Sequence, residues 1–207
     1  SRGFSFSSSF TTEEPLRLPD YQDLYGQGID GEYRFVDGAG AGTWDFVDES
    51  WGPRLDGRLI DQFTGPQQPW VAHPDNVRNF FRTGLTSNTN ISFEQSSNRG
   101  NVRLSLTNML VEGMAPGEQI GRIGVALKGG TSVTDRLSTE ASLNYSNQQT
   151  ENRMGTGYDE DNPMQSFIWF GRQVDMEALR NYRCTGAATE GHACDPNGGQ
   201  YNWNYNY

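Results

Sequence analysis

The sequence predicts an all-β chain, a portion of an antiparallel transmembrane β-barrel with long external loops. Three observations predict it. Five segments alternate apolar and polar residues with period two. Each is ~9–13 residues long, against ~5–6 for the commonest globular strand and ~9–11 for a tilted strand that crosses a membrane. The connections between them are alternately short and long.

The first segment, near 2–10, sets Phe4, Phe6 and Phe10 against Ser5, Ser7 and Ser9. The second, near 85–95, sets Leu85, Ile91 and Phe93 against Thr86, Asn88, Asn90, Ser92 and Glu94. The third, near 101–112, opposes Val102, Leu104, Leu106 and Leu110 to Arg103, Ser105 and Thr107. The fourth, near 121–133, opposes Ile123, Val125 and Leu127 to Arg122, Gly124, Ala126 and Lys128. The fifth, near 137–149, opposes Leu137, Ala141, Leu143 and Tyr145 to Ser138, Glu140, Ser142, Asn144 and Ser146. Soluble antiparallel sheets also alternate this way. The connections separate the two cases. Ser97–Gly100 and Thr134–Arg136 are tight turns, whereas 11–83, 113–119 and 150–207 are loops. Barrels of the outer membrane sort short turns to one side and long external loops to the other.

Composition agrees. Only 34% of residues are hydrophobic while 12% are aromatic. Disordered chains lack the aromatics, and a sheet with one apolar and one wet face explains both numbers. The formal net charge is −10, from 16 Lys+Arg against 26 Asp+Glu. That excludes nucleic acid as an expected partner, because phosphate binding needs a basic surface. No apolar run approaches the ~18 residues of a membrane helix. Ser1 opens in a strand-like run and Tyr207 closes in mid-pattern, so the chain is expected to be part of a longer protein.

Cys184 and Cys194 lie in a Gly/Ala/Thr/Asn-rich stretch, which reads as a disulfide in an oxidising compartment or as two free thiols. Zinc is not expected, since His192 is the other soft ligand nearby. The loop 11–83 carries Trp44, Trp51, Trp70 and several Tyr and Phe, which predicts ordered structure. From Met164 to about Tyr182, Phe167, Phe170, Val174 and Ala178 follow helical spacing behind Pro163, predicting a short loop helix.

The stretch Ser50-Trp51-Gly52-Pro53-Arg54-Leu55-Asp56-Gly57 resembles the SWGP-x-LDG signature of SusC/RagA-type TonB-dependent outer-membrane transporters. Asn76-Val77-Arg78-Asn79-Phe80-Phe81-Arg82-Thr83-Gly84 is similar to that family's approach to its second barrel strand. Val133-Thr134-Asp135-Arg136-Leu137 resembles its periplasmic turn, and Asn202-Trp203-Asn204-Tyr205 a further loop motif. The resemblance implies the first five strands of a 22-stranded barrel, with the N-terminal plug and the TonB box outside this chain. It implies a Bacteroidetes-type outer-membrane location with extracellular loops. It also implies import of oligosaccharides or peptides under a SusD-like surface lipoprotein, powered through TonB.

No enzyme is expected. Two histidines and no nucleophile motif give a triad nothing to stand on. Glu94 and Glu140 have the chemistry of a catalytic pair but read more simply as lumen charge. Asp37–Gly42 is Gly-rich without the Lys-Ser/Thr of a phosphate loop. Asp159-Glu160-Asp161-Asn162 has oxygen ligands for Ca²⁺ but reads first as a cap before a helix. No cofactor is expected. Tyr201, Trp203 and Tyr205 are candidates for sugar contact, and Trp169 and Phe170 for contact with the lipoprotein. The alternative reading is a secreted β-sandwich that binds glycan or acts as an adhesin. It shares the strands and the aromatic loops but gives no reason for connections sorted by side.

Overall fold

The computed structural model describes residues 1–33, 49–159 and 161–181. It divides into two compact units. The sheet unit comprises Ser1–Pro15 and Phe81–Met154, and the loop unit comprises Leu16–Phe80 and Gly155–Tyr207.

The sheet unit is one five-stranded antiparallel sheet. Its strands are β1 (Arg2–Glu13), β4 (Gly84–Ser96), β5 (Gly100–Glu112), β6 (Gln119–Thr134) and β7 (Leu137–Glu151), in that order across the sheet. These are the five expected strands, each extended at one or both ends. Within the ladder, Phe4 faces Phe93, Phe93 faces Leu104, Leu104 faces Leu127, and Leu127 faces Leu143. Phe6, Ile91, Leu106, Val125 and Tyr145 form the next such row. A one-residue slip would scatter both rows onto the polar face, so the alternation itself fixes the register. The sheet is open, with β1 and β7 at its edges.

The short connections lie at one end. Ser97 closes the β4–β5 turn through its N–H and Oγ, both donating to Gly100 O, at 2.8 and 3.2 Å. The β6–β7 turn is Asp135-Arg136, with Arg136 N–H donating to Thr134 Oγ1 at 3.3 Å. At the opposite end, the β5–β6 connection is held by Arg82. Its Nε donates to Gly113 O at 2.9 Å and its Nη2 to Glu118 O at 3.1 Å.

The loop unit contains the hairpin β2 (Leu59–Gln62) and β3 (Gly65–Pro69), and the helices α1 (Asn76–Phe80), α2 (Pro163–Ser166) and α3 (Met176–Arg180). The stretch expected as a single loop helix is thus two short ones. Asn162 caps α2 by accepting from Met164 N–H, with Pro163 at the first turn. Asp175 caps α3 by accepting from the N–H groups of Glu177 and Ala178. Between them Gly171, Arg172 and Gln173 commit backbone and side chains to distant partners, so the helix does not run through. Of the residues in that apolar spacing Phe167, Phe170 and Val174 are buried and Ala178 is half-buried; Met176, Phe63, Trp70 and Val77 are buried too. Phe167 stands edge-on to Phe80 at 5.2 Å and to Phe170 at 5.4 Å.

Candidate functional site

Two constructions stand out: the faces of the sheet, and the polar network inside the loop unit. The first face carries exposed apolar side chains across all five strands. Phe4 is 71% exposed, Leu106 44% and Leu143 64%. The second face carries hydroxyls, amides and charges. Ser5 and Ser92 share a hydrogen bond of 2.6 Å between their Oγ atoms. Asn90 Nδ2 donates to Ser105 Oγ at 3.0 Å and to Thr107 Oγ1 at 2.8 Å. Lys128 Nζ lies 3.0 Å from Glu140 Oε1, with both side chains more than half exposed, so this pair adds well under ~1 kcal/mol. Glu94 and Glu140 sit on β4 and β7, three strands apart, and do not form a carboxylate pair.

The loop unit is built around Arg172, which is 3% exposed. Its Nε donates to Asp23 Oδ1 at 2.9 Å, its Nη2 to Pro74 O at 2.7 Å, and its Nη1 to Asn76 Oδ1 at 2.5 Å. The guanidinium lies 5.0 Å from the centroid of the Tyr21 ring. Burial pushes the Tyr21 phenol above its ordinary pKa, and the adjacent cation partly offsets this. Asn76 Nδ2 donates in turn to Gly171 O and Val174 O, at 3.1 and 3.3 Å. Gln27 N–H donates to Gln173 Oε1 at 2.9 Å, and Gln173 Nε2 returns a bond to Gln27 Oε1 at 3.3 Å. Three segments far apart in sequence thereby become one polar core.

Arg58 grips Asp56 with a two-pronged contact, Nε to Oδ1 at 2.9 Å and Nη2 to Oδ2 at 2.6 Å. Hydrogen bonds from the Arg58 side chain and then its backbone hold the Asp56 carboxyl well below the usual carboxylate range. A depressed folded value means that its contribution to stability is present above about pH 4, the unfolded value, and is lost as pH falls through the folded one. Arg58→Gln is expected to raise the Asp56 titration towards its ordinary value of about pH 3.9 without fully reaching it, because the backbone N–H of residue 58 still donates to Oδ1 at 3.2 Å. Carbon-13 NMR of the Asp56 carboxyl across the acid range reads this directly. An unchanged midpoint would show that Arg58 does not set it.

The expected site residues fall as follows. Phe170 is buried, 5% exposed, and packed on Phe167. Trp169 is partly exposed, and its Nε1 is buried without a hydrogen-bond partner among the described residues. Cys184, Cys194, Tyr201, Trp203 and Tyr205 lie outside the described residues. The acidic stretch before α2 is a capping turn, in which Asp159 Oδ1 accepts from Asp161 N–H at 3.0 Å. Among the described residues no group of three His, Cys, Asp or Glu is placed to hold a metal ion. The Arg172 network carried no sequence signal, because Arg, Asn and Gln read as surface residues until their burial is known.

No protein-family model matches the chain, and no curated protein matches it. What fold and site define is therefore a class: an antiparallel β protein whose sheet exposes one apolar and one polar face, without a helix long and apolar enough to cross a membrane among the described residues.

Proposed function

We propose that this chain is wall and external loop of an outer-membrane β-barrel, of the SusC/RagA type of TonB-dependent transporter. In this reading it is the first five strands of a 22-stranded barrel that imports oligosaccharides or peptides with a SusD-like lipoprotein. The plug and the TonB-contacting segment belong to other parts of the same protein.

One observation carries the membrane reading: the apolar belt runs diagonally across the ladder. Towards the long connections the belt ends at Phe10 on β1, level with Leu110, at Leu85 on β4, level with Glu112, and at Leu110 on β5. It ends at Ile123 on β6, level with Asn108, and at Tyr145 on β7, level with Leu106. Towards the short turns it ends at Phe4, level with Leu104, then at Val102 on β5. On β6 and β7 it ends at Val133 and Leu137, beyond the level of Gly100. The two edges shift by four and about seven residues over the four steps from β1 to β7. With a rise of ~3.3 Å per residue and ~4.8 Å between strands, that is a strand tilt of roughly 35–50° against the belt. Membrane barrels tilt their strands by about 35–45°.

The height agrees too. Val102 to Leu110 and Leu137 to Tyr145 are eight residues apart and Ile123 to Val133 ten. At such a tilt the eight-residue spans rise ~17–22 Å and the ten-residue span ~21–27 Å, against the ~25 Å apolar band of an outer-membrane barrel. Beyond the belt stand Arg2 and Gln95 at one end, and Glu112, Gln119 and Glu151 at the other. A β-sandwich would cover this face with a second sheet, whereas its side chains are exposed.

Nitroxide labels walked along β5 and β6 of the full-length protein in lipid bilayers test the assignment. Labels at 104, 106, 125 and 127 are expected to be open to oxygen dissolved in lipid, and labels at 103, 105, 126 and 128 to be closed to it. Water access at 104 and 106, or shielding of those labels by protein, would overturn the membrane wall.

A further inference from the structure

An exposed indole on a rigid backbone stands apart from both constructions. Trp51 is 64% exposed. The segment that carries it is nevertheless pinned on both sides. Trp51 N–H donates to Gly28 O at 2.9 Å, and Trp51 O accepts from Gly31 N–H at 2.9 Å. Gly52 N–H donates to Gly26 O at 3.0 Å, and Gly26 N–H to Pro53 O at 3.2 Å. The two segments of this frame approach so closely that a Cβ on Gly52 would lie 1.9 Å from Gln27 O. From below, the fully buried Trp70 donates through Nε1 to Pro53 O at 2.9 Å. A large apolar ring is ordinarily driven out of water. A mobile segment could fold its ring away; this one holds it out. Tyr25 stands beside it, ring centroids 6.1 Å apart and tilted by 47°, so the two rings form an open corner.

The charges of the frame select what fits the corner. Glu49 lies two residues before Trp51, and Asp30 and Glu32 flank the Gly31 that bonds to it. All three are exposed, and among the described residues none of their carboxylates makes an ion pair or side-chain hydrogen bond. Arg54, opposite Tyr25, is the cation of the frame and leaves it net negative. An aromatic face carries negative potential and attracts ammonium and guanidinium groups. Unpaired carboxylates around it strengthen that attraction and do nothing for a neutral ligand.

We propose that the Trp51–Tyr25 corner is a binding site for a cationic side chain, the guanidinium or ammonium group of a basic peptide. The site lies wholly within the loop unit and does not depend on the membrane reading. Its test uses the full-length protein labelled with 5-fluorotryptophan, the Trp51 fluorine resonance being assigned by its loss in Trp51→Phe. Titration with tri-arginine is expected to shift that resonance saturably, and maltotriose to leave it in place. In a variant combining Asp30→Asn, Glu32→Gln and Glu49→Gln, the apparent Kd is expected to rise ~10-fold, and added salt should reproduce part of that loss. Asparagine tolerates the left-handed backbone at position 30, where φ is 54°, so the variant keeps the frame. Absence of a saturable shift, equal binding by the triple variant, or tighter binding of maltotriose would each overturn the proposal.

Discussion

Arg172→Leu is expected to open the loop unit while leaving the five-stranded sheet intact. The guanidinium holds three segments at once: Asp23 on one, Pro74 O and Asn76 on the second, and its own backbone on the third, where Arg172 O accepts from His73 N–H at 2.9 Å. Leucine fills much of the volume but satisfies none of these acceptors. Asn76 is fully buried, so its Oδ1 would lose its partner where water does not reach. Removing one member of a buried charged network costs about 3–5 kcal/mol, chiefly because the remainder stays unpaired. Asp23 keeps 38% of its side chain exposed and can be rehydrated, which places the expected loss near 3 kcal/mol. Arg172→Lys keeps the charge without the planar fork and should fall between. By contrast the exposed Arg180–Glu177 pair, at 3.1 Å, should be worth less than ~1 kcal/mol. Hydrogen exchange of the full-length protein separates the outcomes. Amides around 20–27, 73–77 and 171–176 should lose protection together, and those of β4, β5 and β6 should keep theirs. Unchanged protection in the three segments would remove Arg172 from the centre of the unit.

That contrast also explains what was legible in the sequence. The strands were readable because a half-exposed strand must alternate: Leu104 and Leu106 against Arg103 and Ser105 admit one pleat. Their ends were less readable. β1 runs on to Glu13 and β7 to Glu151, through residues such as Thr11, Thr12 and Thr150 that continue the ladder without an apolar–polar alternation to mark it. The hairpin β2–β3 was missed for a different reason. Gly65-Pro66-Gln67-Gln68-Pro69 has no strand-like pattern, and its shape depends on Asp61 Oδ1 accepting from Gln67 N–H at 2.8 Å and on Gln62 Nε2 donating to Pro69 O at 3.1 Å. The polar core of the loop unit left no trace at all. Gln27 and Gln173 are 146 positions apart and Asn76 and Arg172 are 96, and nothing local to either member of a pair announces the other. In the described part of the first loop Trp70 in the core fits the order that its aromatic content predicts, Trp44 lying outside the described residues, but Trp51 shows that an aromatic residue in an ordered loop need not be buried.

The second large effect is expected at the middle of the apolar belt. On β5 the belt runs from Val102 to Leu110, which puts Leu106 at its centre. If lipid covers this face, Leu106→Arg places a guanidinium near the bilayer midplane and costs about 2–4 kcal/mol of folding free energy in the membrane. Ser105→Arg, one residue along on the opposite face, meets water and should cost within ~0.5 kcal/mol. Val102→Arg, at the short-turn edge of the belt, lies where the penalty falls to about 0–1 kcal/mol. The gradient is the discriminating feature, because a face packed against another protein would penalise arginine according to local packing and not according to depth. The diagonal adds a second condition. Ile123 on β6 faces Asn108, close to the centre of β5, yet it is the last apolar side chain on the belt face of its own strand towards the long connections, Ile120 lying on the opposite face. Ile123→Arg should therefore cost no more than Val102→Arg, although a belt running straight along the ladder would place it nearly as deep as Leu106. Folding of the full-length protein into lipid vesicles, titrated with urea, measures all four variants on one scale. Equal penalties at 106 and 123 would mean that the strands do not cross the apolar layer at a tilt, and the wall assigned to this sheet would go with it.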